Sequence, residues 1–373
     1  MDFDEQSLPR MTSDLRGHKD SEKLFLDAFN AEKIHHAWML TGPKGVGKAT
    51  LAYKMARFLL NNPPSNDQGP GLFGDVLEKV DVTDLNTDME TTANHLIDAG
   101  SSADLMVTEK TEDPKTGKMR SNILVDDVRK INNFFHKTSS EGGWRVAIVD
   151  TADEMNRNAA NAILKILEEP PKNSILIILA HAPGKLLPTI KSRCRMLPLK
   201  PLKSATVAEI LRAKFPDLDD NTINGYVSLS NGSPGYAVSL IEHKGLKLYG
   251  EMLGLLSTMP NINVPLMHDF AGAITTKKSG DMFLLFSEML SQFITRMIRH
   301  VCYLNSDHTH NIKEALTTEF ALMEQLGTNI PLDQWAELWE KTSKKIIKAD
   351  LLNMDRKQTV IDIFNMISAA LKK

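Results

Sequence analysis

Gly42-Pro43-Lys44-Gly45-Val46-Gly47-Lys48 constrains the fold of this chain more than any other stretch. A Gly-x-x-x-x-Gly-Lys loop cradles phosphate only where a strand runs into it and a helix leaves it. Converging backbone N–H groups and the positive end of the helix dipole supply the binding. Both flanks are present. The apolar run Ala37-Trp38-Met39-Leu40-Thr41 predicts a strand, and residues 48–60 place Leu51, Ala52, Met55, Ala56 and Leu59 at helical spacing. A chance glycine-rich turn would not carry both, so a polyphosphate is the expected ligand class, with Lys48 adding a point charge.

The motif departs from a working nucleotide site at its next residue. Ala49 stands where a Ser or Thr hydroxyl ligates Mg²⁺. Thr50 lies about 100° further round the helix and could substitute only after a backbone shift. The second half of such a site is an acid at the end of an apolar strand, and Val146-Ala147-Ile148-Val149-Asp150 offers Asp150. In P-loop ATPases of the AAA+ type a glutamate that polarises the attacking water follows directly, whereas here Thr151 follows and has no carboxylate to act as a base. Asp153 and Glu154 are expected as acidic charges at the start of the next helix. Two independent defects imply the fold of a motor without its chemistry.

Apolar runs at 144–150 and 174–180 alternate with helix-like stretches at 122–135 and 153–169, the latter stopped by Pro170-Pro171. Continuous apolar strands separated by helices predict a parallel sheet covered on both faces. Beyond Pro201 the β-branched runs vanish. Residues 205–214 and 221–229 read as short helices before the turn Asn231-Gly232-Ser233-Pro234-Gly235, and the stripe Phe286, Leu290, Phe293, Met297 and Val301 marks a longer one. The expected organisation is therefore an α/β P-loop domain over 1–200, a small helical lid over 201–243 and an all-helical domain over 244–373. A Pro-, Gly- and Asn-rich loop over 61–75 interrupts the first.

Composition excludes several classes. The 373 residues carry 44 basic and 47 acidic side chains, a formal net charge of -3, so no bulk cationic field drives solitary nucleic-acid binding. Cys194 and Cys302 are the only cysteines, too few for a disulfide framework, and fit a reducing, cytoplasmic setting. The first eleven residues lack the pattern of a secretory signal, and the most apolar later stretch, 282–304, is broken by Glu288, Arg296 and Arg299, so no membrane association is expected. His35 and His36 suggest a metal pair, but neighbours in a strand face opposite ways, so both are expected to be structural. His308 and His310 read as surface residues.

Three further stretches resemble the clamp-loader branch of the AAA+ proteins. Asn161-Ala162-Ile163-Leu164-Lys165-Ile166-Leu167-Glu168-Glu169-Pro170-Pro171 closely resembles a segment of bacterial clamp loaders. Ser192-Arg193-Cys194, after Leu186-Leu187-Pro188-Thr189-Ile190, resembles the Ser-Arg-Cys motif that these subunits present to a neighbour. Gly17-His18 and His35-His36-Ala37 precede the loop as in delta-prime and gamma/tau members.

The resemblance covers about residues 15–60 and 120–240. It implies an AAA+ domain, a helical lid and a C-terminal collar. The pattern is that of the family's delta-prime members, which tolerate a degenerate ATP site, rather than of its gamma/tau motors, although an active motor is the alternative. Arg193 would then be an arginine finger acting on a neighbour's ATP site, and such fingers contribute about 10³ to 10⁵ in rate in well-studied GTPases.

Implied partners are the gamma/tau and delta subunits and, through the assembly, a sliding clamp and primer-template DNA in DNA replication. Own ATPase activity is not expected and no cofactor is required, though the glycines and Lys48 still permit passive binding of ATP or phosphate. Many relatives carry a four-cysteine zinc module after the loop helix. Residues 61–110 contain no cysteine, so zinc is not expected. Tyr236 occupies the place where motors carry a sensor arginine. Arg157 and Lys165 are candidate DNA contacts, with a solvated helix face as the alternative reading.

Overall fold

A computed structural model describes residues 8–12, 14–64, 81–113, 117, 119–137, 143–276, 282–304, 313–352 and 354–372. His308 and His310, the start of the chain and most of the 61–75 loop lie outside the described residues. The chain divides into two compact units, Met1–Lys203 and Ser204–Lys373. The first junction lies three residues beyond the expected 200, and the expected division at 243 falls inside the second unit.

The first unit is an α/β domain around five parallel strands, β1 (Ala37–Thr41), β2 (Leu105–Glu109), β3 (Arg145–Asp150), β4 (Ser174–Ala180) and β5 (Arg195–Pro198), in the spatial order β2-β3-β4-β1-β5. Strand periodicity sends successive side chains to opposite faces. Trp38, Leu40, Val146, Ile148, Ile175, Ile177 and Leu179 therefore enter one core layer, with α1 (Lys19–Asn30) and α2 (Lys48–Asn61) supplying Phe25, Leu51, Met55 and Phe58. Met39, Ala147, Val149, Leu176 and Ile178 enter the other, against α4 (Val125–Phe135) and α5 (Arg157–Glu168), which follow the short α3 (Thr92–Asp98). Two dry layers explain why β3 and β4 read as unbroken apolar runs: neither face of these strands meets water.

The structure departs from two expectations. Asp153 and Glu154 do not begin a long helix; they lie in a separate 3-10 turn, Ala152–Glu154, and α5 starts three residues later under an Asn156 side chain that accepts from the Ala159 N–H at 2.8 Å. An Asn cap satisfies an orphan helix-end donor, which outweighs continuing the helix through Met155. His35 and His36 precede β1 and do not face apart: their rings stack at 4.4 Å between centroids. Each bonds to backbone, His35 Nδ1 at 2.9 Å from the Ala37 carbonyl and His36 Nε2 at 3.2 Å from that of Leu167.

The second unit is helical throughout its described residues, from α7 (Ser204–Lys214) through α8 (Asp220–Leu229), α9 (Pro234–Glu242), α10 (Gly245–Leu256), α11 (Val264–Ile274), α12 (Met282–Leu304), α13 (Glu319–Asn329) and α14 (Leu332–Leu351) to α15 (Arg356–Leu371). The stripe Phe286, Leu290, Phe293, Met297 and Val301 is the buried face of α12. One charged cluster sits inside this bundle. Arg296 pairs with the fully buried Glu319 and donates to the Ser228 and Lys313 carbonyls, and Tyr249 donates to Glu319 at 2.6 Å. Among the described residues no helix is long and apolar enough to cross a membrane.

Candidate functional site

The Gly-Lys loop leaves the carboxyl end of β1 and enters α2, with the carboxyl ends of β3 and β4 beside it, the usual place for a ligand crevice in a parallel sheet. Gly42 must be glycine: its φ is +148°, and a Cβ there would lie 2.3 Å from the Leu199 carbonyl oxygen. Gly45 and Gly47 also have positive φ, and no side chain caps α2 after Gly47, so its first N–H groups open toward the loop. Pro43 and Lys44 form the exposed tip. Val46 is buried and its carbonyl accepts from Nε2 of the buried His18 at 2.9 Å. His18 therefore ties the loop to the segment before α1, a role its position in the sequence does not disclose.

The charges at this crevice perturb one another. Lys48 is buried and donates from Nζ to the Gly42 and Pro43 carbonyls, both at 2.7 Å. Burial lowers its pKa to about 8, against the opposing pull of Asp150 and Asp153. Burial raises Asp150 to about 6, reinforced by Glu109, its register partner on β2, and by Glu154, and opposed by Lys48 and Lys44. Thr151 is buried, and Ala49 packs partly buried against the first core layer. Ala49 brings no hydroxyl and Thr151 no carboxylate to the crevice. The loop thus has the backbone of a phosphate cradle and a lysine within it, but the residues present do not fit the usual Mg²⁺ arrangement. Thr50 stands on the first turn of α2, one residue beyond the ligand position.

At this site His181 was not found from the sequence, and Asp153 was read only as a helix-end charge. His181 follows β4 directly, and burial together with Lys48, Lys44 and Lys110 pushes its pKa down to about 4 despite Asp153. Its Nδ1 is buried without a hydrogen-bond partner. Asp153 accepts the backbone N–H groups of His181 and of Ala182, the latter at 3.2 Å, and so clamps the end of β4 to the turn after β3. The available signal was positional. A residue at the carboxyl end of a central parallel strand faces the crevice, but the place of 174–180 in the sheet is a tertiary property.

Arg193 lies on a different part of the first unit, after the short α6 (Pro188–Lys191). Ile190 is fully buried and Cys194 packs in the same core layer, its thiol pushed up to about 12 by burial, so this cysteine anchors rather than reacts. Between these anchors the Arg193 side chain is 37% exposed, donates from Nη1 to the Thr189 carbonyl at 3.1 Å and pairs through Nη2 with Glu168 at 2.9 Å. It is not packed inside its own subunit.

Arg157 and Lys165 are both exposed on α5. Tyr236 is buried within the second unit, and burial, with Glu288 nearby, holds its hydroxyl protonated beyond the ordinary range. Among the described residues no three His, Cys, Asp or Glu side chains gather as metal ligands.

Residues 17–203, half of the chain, match the family described as DNA polymerase III, delta subunit. DNA polymerase III subunit delta' of Pseudomonas aeruginosa is 36% identical over 199 residues, covering 53% of this chain and 53% of that protein. DNA polymerase III subunit delta' of Escherichia coli (strain K12) is 29% identical, covering 60% of this chain and 59% of that protein. DNA polymerase III subunit gamma of Buchnera aphidicola subsp. Schizaphis graminum is 26% identical, covering 69% and 64%. The matched regions thus span less than two thirds of these relatives' own lengths.

Proposed function

The chain belongs to the DNA polymerase III delta-subunit family, and from that membership we propose that it is a delta-prime-type clamp-loader subunit. Its own ATP site is silent, and it donates Arg193 to the ATP site of a neighbouring gamma/tau subunit. The observation that carries this reading is Arg193 itself: a guanidinium held at the surface between the buried Ile190 and the partly buried Cys194, on a chain whose own loop lacks a metal-ligating hydroxyl at Ala49 and a base at Thr151.

In the neighbour's site, water bonds to the γ-phosphorus while the bond to the β,γ-bridging oxygen breaks, releasing ADP and inorganic phosphate. Negative charge on the transferring group is what an arginine reaching in from outside stabilises. In this reading the assembly is cytoplasmic, includes a delta subunit, and acts on a sliding clamp and primer-template DNA. This chain's loop permits passive binding of ATP or phosphate, and it requires neither a cofactor nor zinc.

The test is a loader reconstituted from this chain with gamma/tau and delta subunits. Arg193→Ala is expected to lower ATP turnover at the adjoining site by about 10³-fold or more while leaving assembly intact; undiminished turnover refutes the finger role. The gamma relative, with the intact glycines and Lys48, favours a second reading as an active motor. Sustained Mg²⁺-dependent turnover by the purified chain, abolished in Lys48→Ala, would establish that reading instead.

A further inference from the structure

Glu168 is the last residue of α5, where a carboxylate meets the negative end of the helix dipole, and Glu169 follows it as the C-cap. Helix stability therefore does not explain an acid at this position. Its carboxylate is directed at Arg193, with Oε1 2.9 Å from Nη2, while Nη1 of the same guanidinium donates to the Thr189 carbonyl at 3.1 Å. Both supports are firmly mounted. Ile166 and Leu167, in the last turn of α5, and Ile190, in the turn before Arg193, are buried in one core layer, so the carboxylate and the arginine backbone cannot drift apart independently.

We propose that Glu168 is the positioning residue for Arg193: its carboxylate holds Nη2 while the Thr189 carbonyl holds Nη1, so that the remaining N–H groups reach the γ-phosphate of the neighbouring subunit already oriented. The inference rests on the finger reading above. An arginine without such support samples many rotamers, and most of them miss. A carboxylate also suits this place chemically: its single charge-assisted contact to Nη2 is stronger than a neutral one and leaves Nε–H and the other N–H groups for a phosphoryl oxygen.

The experiment uses the reconstituted loader with ATP, clamp and primer-template DNA, and measures kcat and KM for wild type, Glu168→Ala, Glu168→Gln, Arg193→Ala and the double variant. Glu168→Ala is expected to lower kcat about 3- to 30-fold with KM for ATP changed less than about twofold. Glu168→Gln, which keeps an acceptor oxygen of the same reach, should recover part of the loss and also guards against a folding defect. In the Arg193→Ala background Glu168→Ala should have no further effect. Unchanged or faster turnover in Glu168→Ala, or a loss that persists without Arg193, overturns the positioning role. If Arg193→Ala is itself silent, the finger reading fails first and this role falls with it, an outcome distinct from a silent Glu168→Ala beside an impaired Arg193→Ala.

Discussion

Lys48, Asp150 and His181 share one crevice, and burial moves their proton affinities in opposite directions. His181, at about 4 in the fold against an ordinary value near 6.5, binds its proton more weakly when folded. Its neutral form thus contributes stability above about pH 6.5 that is lost as pH falls toward 4. Asp150, at about 6, does the reverse: its contribution is present near pH 4 and is lost as pH rises to 6. His181→Gln isolates the first effect. Relative to wild type, this variant should gain on the order of 1 kcal/mol between pH 6 and pH 5, read from urea midpoints at each pH. A difference independent of pH would mean that the imidazole is not held neutral. Arg193 and Lys48 were recognisable as residues because a motif spells them out. His181 was not, since only the strand order brings the end of β4 beside the loop.

At the level of elements, the turn from β1 into α2 is the most tightly specified part of the chain. Gly42 lies against the Leu199 carbonyl and His18 holds the Val46 carbonyl, so the loop is gripped from the residue that follows β5 and from the N-terminal segment at once. Gly42→Ala combines a positive φ with a backbone collision, and should destabilise the first unit by about 1–3 kcal/mol or more, measured by chemical denaturation. A neutral outcome would show that the loop adjusts freely.

Strands β1, β3 and β4 and helices α2 and α5 were legible because their apolar spacing repeats at the period of the element. Helix α3 and strand β2 were not. The apolar run of strand β2, Leu105-Met106-Val107, is shorter than those of β3 and β4, and the strand is only partly buried for most of its length, so it did not announce itself as its neighbours did. The 3-10 turn before α5 escaped for a related reason: a cap and a continuing helix look alike until Asn156 is seen to bond Ala159.

Across the whole chain, the two units differ in how they are held. The first relies on two apolar layers, the second on helical packing plus a buried ionic cluster in which Arg296, Glu319, Tyr249 and Ser228 link α12, α13, α10 and α8. Removing one partner strands a charge out of water, so Arg296→Ala should cost about 3–5 kcal/mol of second-unit stability, whereas surface Lys341→Ala should cost little. Paired thermal or urea melts of the full chain check this, and equal small losses would contradict it. This cluster joins residues on both sides of position 243, where composition suggested a boundary.

By itself the sequence determined that the first 200 residues form a parallel α/β domain with a phosphate loop, because periodicity and glycine placement are local properties that act through backbone sterics and burial. Only the tertiary structure decided that His181 and Asp153 line that loop, that Glu168 meets Arg193, and that Arg296 finds Glu319. Such pairings follow from which elements pack together, and that choice is made by the summed burial of the whole core.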